Sequence, residues 1–189
     1  MDRAACKVEC QIVLTVTVAY CILFLFTITV VMPLQDVFFH WLPMNISLLF
    51  LPHGVRLLTI YLYGWRAIFY LLPGHLLTWS YLWFVLQSEQ DISASLISIL
   101  AGFLAVCLVF RTWNYHSDSE LRSHWKLIIL AGVLASIGNG LGHATLYGLQ
   151  LDVNWLILAL GFLIGDVSGL FFLMVTLILI NRFARVRSL

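Results

Sequence analysis

Charge is what this sequence has least of. Of its 189 residues, 10% are charged and 62% hydrophobic, with ten Lys and Arg against nine Asp and Glu. A soluble domain carries about 25% charged and 45–50% apolar residues, so a water-soluble monomer does not fit, and neither does a disordered chain. Cysteine is also scarce: Cys6 and Cys10 lack the spacing of a zinc site or redox pair. Cys21 and Cys107 fall inside apolar runs, as small core residues do. There is no Gly-rich phosphate loop, His-Glu-x-x-His helix or Gly-x-Ser-x-Gly elbow. The sequence therefore suggests no enzyme class and no particular cofactor. It also has no basic patch with interleaved aromatics, so nucleic acid is not an expected partner.

What the sequence does have is long apolar runs. A spanning helix needs roughly 20 mostly apolar residues, and six such runs are predicted at 11–32, 46–63, 67–86, 92–110, 127–149 and 155–180. The expected architecture is all-α: a polytopic membrane protein in which 1–189 form one six-helix transmembrane domain. Pro33 should end the first span. Pro52-His53-Gly54 should interrupt the second, and Pro73-Gly74-His75 falls in the first half of the third. Segment 33–44 holds Phe38, Phe39 and Trp41 and reads as an interfacial turn or short helix.

The cations test this map. Arg3, Lys7, Arg66, Arg111, Arg122, Lys126, Arg182, Arg185 and Arg187 fall at the two termini and in alternate loops. Loops 33–45, 87–91 and 150–154 have no Lys or Arg, but carry Asp36, Glu89, Asp91 and Asp152. Positive residues stay on the cytoplasmic side, so both termini are expected there, in the cell's inner (plasma) membrane. The polar loop with Arg111, Arg122 and Lys126 is the candidate contact for another membrane or cytoplasmic protein chain.

Two charged residues remain inside spans, Arg56 and Asp166. Ionisable groups in the hydrocarbon cost several kcal/mol unless paired or hydrated. Both sit near mid-depth at a rise of about 1.5 Å per residue, which predicts an Arg56–Asp166 pair between the second and sixth spans. His53 lies three residues before Arg56 on nearly the same face. His143 and Asn139 reach a similar depth on the fifth span. His53, Arg56, Asn139, His143 and Asp166 are therefore the candidate ligand-binding set, with a small molecule as the possible ligand; His75 is expected to lie elsewhere, in the cytoplasmic half of the third span. Gly161, Gly165 and Gly169 repeat every four residues, a stripe expected to serve helix packing, since small residues let backbones approach in lipid. Gly132, Ser136 and Gly140 on the fifth span, and Ala94, Ser98 and Gly102 on the fourth, form further rows.

Leu49-Phe50-Leu51-Pro52-His53-Gly54-Val55-Arg56, with Tyr63-Gly64-Trp65-Arg66-Ala67, Leu71-Leu72-Pro73-Gly74 and later Ile164-Gly165-Asp166-Val167-Ser168-Gly169, resembles the bacterial MASE1 integral membrane sensory domain. The matched positions are Pro52, Gly54, Arg66, Gly165, Asp166 and Gly169. The chain is shorter than that family's usual membrane region and ends at Leu189 without a kinase or cyclic-dinucleotide output domain. The resemblance thus implies a stand-alone sensor or ligand-binding protein whose output is supplied by another chain. Two other functions suit the same residues. One is the substrate-binding subunit of an energy-coupling, vitamin-type importer; the other is a structural accessory subunit of a larger membrane complex.

Overall fold

In the computed structural model, residues 3–42, 46–88, 91–112, 125–148 and 154–187 are described, and they form helices with no strand among them. The helices are α1 (Arg3–Phe26), α2 (Met32–Phe39), α3 (Pro52–Tyr63), α4 (Ala67–Phe84), α5 (Ile92–Thr112), α6 (Trp125–Gly148) and α7 (Trp155–Arg187). Five are long and apolar enough to cross a membrane, when α1 with α2 and α3 with α4 are each taken as one run. Large apolar side chains face outward all along these helices, among them Leu14, Phe69, Leu104, Ile164 and Phe171.

Pro33 does not end the first helix. A π-helical turn over Thr27–Val31 joins α1 to α2, with the Met32 amide bonded five residues back to the Thr27 carbonyl. The wider turn is what lets a proline, which lacks an N–H and crowds the carbonyl four residues back, sit in the first turn of α2. The expected interfacial helix is thus a continuation of the first span.

The second run breaks at Gly64, where φ is +56° and ψ −132°, a backbone that favours glycine. The contacts on either side define a hairpin. Arg66 and Tyr70 both bond to Glu9, and Tyr20 meets Gly74 and His75, so α4 runs parallel to α1. Tyr63 borders a groove with Gln11 and Ile12, whereas Arg56 lies near the depth of Tyr20, so α3 runs the opposite way. Gly64 reverses the chain between them.

The helix of the second predicted span begins later than expected. Residues 46–50 are non-helical, and Pro52 opens α3 rather than interrupting it. Proline suits a first helical position, where its missing N–H has no intrahelical use. α3 then touches α1, α4, α5, α6 and α7. Its Leu57 and Ile60 are buried in the larger apolar core with Ile99, Val109, Ile128 and Leu170.

The last three helices pack antiparallel in sequence through the small-residue rows. A Cβ at Gly140 would come 2.7 Å from the Ala159 carbonyl oxygen, and one at Gly138 3.3 Å from the Ala101 Cβ. The Gly161, Gly165 and Gly169 stripe, expected to pack against a helix, receives the irregular 46–50 segment instead. A Cβ at Gly165 would overlap the Ser47 carbonyl oxygen and one at Gly169 the Phe50 carbonyl oxygen; at Gly161 it would lie 2.6 Å from Ile46. The correction has a physical reason. An extended backbone exposes its own carbonyls, so it needs a partner without side chains even more than a helix does.

Irregular backbone survives among apolar helices only if its polar groups are paired. Gln35 of α2 makes two of these bonds. Its Nε2 donates to the Ile46 carbonyl at 2.8 Å, and the Leu48 amide donates to its Oε1 at 2.7 Å. The Ser168 hydroxyl donates to the Leu48 carbonyl, the Leu49 amide to Ser47 Oγ at 3.3 Å, and the Phe50 amide to the Gly165 carbonyl at 2.9 Å. One glycine on α7 thus supplies both the room and an acceptor.

Candidate functional site

Where the chain is irregular, the bundle is hollow. A cavity of about 610 Å³ lies between α1, α4, α5, α6, α7 and the 46–50 segment. Its mouth is at the end of the bundle formed by Gln35, Asp36, Phe39, Ser88 and Asp91, and its inner end reaches Tyr20, Arg56, His75, Asn139 and Asp166. Lys7, Arg66, Arg111 and Lys126 belong to the opposite end, as the Glu9–Arg66 bond, the Tyr61–Phe110 ring contact and the antiparallel α5–α6 pairing require. Phe24, Trp79 and Phe162 give the cavity an aromatic wall.

All five predicted site residues join one network here; Arg56, Asn139, His143 and Asp166 line the cavity, whereas His53 lies behind them and does not. Arg56 and Asp166 are each 1% exposed, with Arg56 Nη2 3.6 Å from Asp166 Oδ2. This is an ion pair between α3 and α7. Asn139 donates from Nδ2 to the same Asp166 oxygen at 2.6 Å and accepts from Ser98 Oγ at 2.6 Å. Ser98 Oγ lies 3.1 Å from His143 Nε2, and Ser136 Oγ 3.3 Å from His53 Nε2. A continuous polar chain therefore runs from α3 across α7 and α6 to α5.

Hydrogen counting fixes who donates. The Ser136 hydrogen goes to the Gly132 carbonyl at 2.8 Å, so His53 Nε2 donates to Ser136. His53 Nδ1 must accept from Arg56 Nη2, 2.6 Å away, because a guanidinium only donates. The 3.2 Å approach of Asp166 Oδ2 to that same nitrogen is then a meeting of two acceptors, both held by Arg56. Likewise the Ser98 hydrogen is spent on Asn139, so His143 Nε2 donates and its Nδ1 is left as an acceptor.

The network leaves several atoms over. Among the described residues, Arg56 Nε, His75 Nε2 and His143 Nδ1 are buried without a hydrogen-bond partner. All three residues line the cavity. Unpaired buried polar groups cost about 1–3 kcal/mol each; three of the six among the described residues belong to this cavity, the others being on Thr17, Ser93 and Tyr147. His75, expected elsewhere, is 4% exposed and stacks against Tyr20 at 4.4 Å between ring centroids, with Nδ1 3.3 Å from the Tyr20 hydroxyl. It joins the cavity because α4 runs alongside α1, which sets it, at the middle of α4, against Tyr20.

Tyr20, Ser98 and Ser136 were not among the predicted site residues. Both serines belong to small-residue rows and read in the sequence only as packing positions. Arg111 and Lys126 are exposed at the ends of α5 and α6, with Lys126 Nζ 5.6 Å from the Trp125 ring centroid, and Arg122 lies outside the described residues. Among the described residues no group of three or more His, Cys, Asp and Glu is placed to hold a metal ion. Comparison with family models, curated proteins and solved structures finds no match for this chain.

Proposed function

We propose that this chain is an integral membrane ligand-binding protein of the sensor type, which takes a small molecule into the cavity that ends on Arg56 and Asp166. The single observation that carries the reading is the cavity itself. About 610 Å³ is within the roughly 300–1,000 Å³ range of small-molecule sites. Its aromatic wall and few convergent polar groups are the usual composition of such sites. The sensory part of the reading rests on the resemblance to MASE1.

In this reading the chain crosses the plasma membrane six times. α3 alone is too short for that: 12 residues rise about 18 Å against a hydrocarbon core of about 30 Å. Residues 46–51 can extend by up to about 3.3 Å each and supply the rest. Both termini then lie on the cytoplasmic side with the cations, and the cavity opens on the other side. Arg111, Arg122 and Lys126 are the surface for a protein partner that carries the signal.

The reading is tested by purifying the chain gently and measuring the intact complex by native mass spectrometry. The expected result is one small molecule per chain, lost when Ser95→Trp fills the cavity wall. A chain that never carries or acquires a small molecule, with Arg56 and Asp166 serving only to hold the helices together, is the result against it.

A further inference from the structure

The charges around the cavity limit what it can hold. Arg56 and Asp166 cancel each other, and Asp166 Oδ2 is already shared between Arg56 and Asn139. His53 accepts from Arg56, and His143 donates through one nitrogen only, so neither leaves a charge to be balanced. A carboxylate or phosphate entering would meet Asp36 and Asp91 at the mouth and Asp166 at the inner end. An ammonium would meet the Arg56 guanidinium, and the carboxylate beside it, Asp166, already balances that cation. Burying a charge without a partner is strongly disfavoured.

The polar atoms left over set a second limit. Arg56 Nε is a donor. His75 Nε2 is a donor when the Tyr20 hydroxyl donates to His75 Nδ1 and an acceptor in the other tautomer, so it can meet either kind of group. His143 Nδ1 is an acceptor. Ring stacking is already used at this site, with His143 and Phe162 parallel at 4.4 Å.

We infer that the ligand is an uncharged, planar molecule whose polar group both accepts and donates hydrogen bonds, of carboxamide or lactam type, with its ring among the aromatic residues that line the cavity, Phe24, Trp79 and Phe162 among them. The inference rests on the reading of the cavity as a ligand site and adds the chemical class. Its accepting oxygen meets the Arg56 Nε donor, its N–H or O–H meets His143 Nδ1, and His75 Nε2 serves either. The Arg56–Asp166 pair stays closed beneath it.

Four probes of one shape separate these statements: benzamide, benzoate, benzylammonium and ethylbenzene, at up to about 10 mM, the range expected for ligands this small. Saturation-transfer NMR on the full chain in lipid nanodiscs, against empty nanodiscs, reads binding of each. Benzamide is expected to bind at least about tenfold tighter than either ion and than ethylbenzene. The Ser95→Trp and Thr78→Phe chains, which fill the cavity from α5 and from α4 without removing the bonds invoked here, are both expected to lose it. Benzoate or benzylammonium binding as well as benzamide in the unblocked chain, and lost on blocking, overturns the uncharged class while leaving the ligand site standing. Ethylbenzene matching benzamide overturns the polar part. Benzamide binding that survives both blocks, or no binding by any probe, overturns the inference and the site together.

Discussion

The two ends of this bundle are built from the same helices and behave as opposites. At the end that carries Lys7, Arg66, Arg111 and Lys126, α3 fills the centre, and Leu57, Ile60, Val109, Ile128 and Leu170 close a dry core around it. At the other end the chain that leads into α3 is irregular and hugs α7, and the centre is a cavity. A helix with its side chains is about 10–12 Å across, whereas the irregular segment is pressed onto the glycines of α7 and leaves the centre open. The hollow follows from where the helix begins. Pro52 sets that boundary, and the polar residues sit just on its inner side, at His53 and Arg56.

The largest effect on this contrast should come from the ion pair. Asp166→Ala leaves Arg56 buried without its counter-charge, and breaking such a pair costs about 3–5 kcal/mol. We expect a loss of that size in unfolding measured in detergent micelles, partly restored when the two charges are exchanged in the double variant. Wild-type stability in Asp166→Ala would show that Arg56 is satisfied some other way, and the polar end would lose its organising contact.

Next comes the seat of the irregular segment. Gly165→Ala puts a methyl group where the Ser47 carbonyl lies, and overpacking of this kind costs about 1–3 kcal/mol. The same change at Gly138 meets only the Ala101 Cβ at 3.3 Å and should cost far less. Comparing the two variants by thermal unfolding checks whether the glycines of α7 serve a backbone rather than a helix. Equal effects would count against that.

Gln35→Leu is expected to fall slightly below this. It strands the Ile46 carbonyl and the Leu48 amide, each an unsatisfied group worth about 1–3 kcal/mol if it stays dry. Because both lie near the cavity, water can reach part of that loss. The sharper readout is cysteine labelling at position 48, which should speed up several-fold as the segment loosens, while labelling at position 60 in the packed core stays unchanged. The smallest effect belongs to Arg66→Gln. Its bond to Glu9 is exposed, at 59% and 44%, and exposed pairs are worth about 0–1 kcal/mol. A large loss there would mean that the cation-bearing end depends on the Gly64 hairpin more than its core suggests.

The sequence announced much of this, though unevenly. Apolar length gave the helices, because that signal accumulates over whole runs, but their ends differ by up to eight residues: the first begins at Arg3 rather than 11 and the last ends at Arg187 rather than 180. Arg56 and Asp166 gave their own pairing, since neither is tolerable alone in an apolar interior. What stayed hidden was local. Ile46 to Leu51 is as apolar as a helix segment, and buried runs of four to eight residues cannot be told apart by periodicity. The stripe at Gly161, Gly165 and Gly169 said that something approaches closely, but not whether it is a helix or bare backbone. Pro33 reads as a stop because nothing in Thr27–Val31 advertises a wider turn. His75 was misplaced by depth counted along one helix, when its neighbour Tyr20 on another decides where it sits.

α7 deserves a last look as a single rod. Its 33 residues reach about 50 Å, and within one turn it carries Gly165, Asp166, Ser168 and Gly169. That turn holds the irregular segment on one side and the counter-charge of Arg56 beside it. A rod clamped at two points on its circumference cannot spin without releasing both. Turning α7 about its axis at this level would therefore break the seat of the irregular segment and the Arg56 counter-charge together.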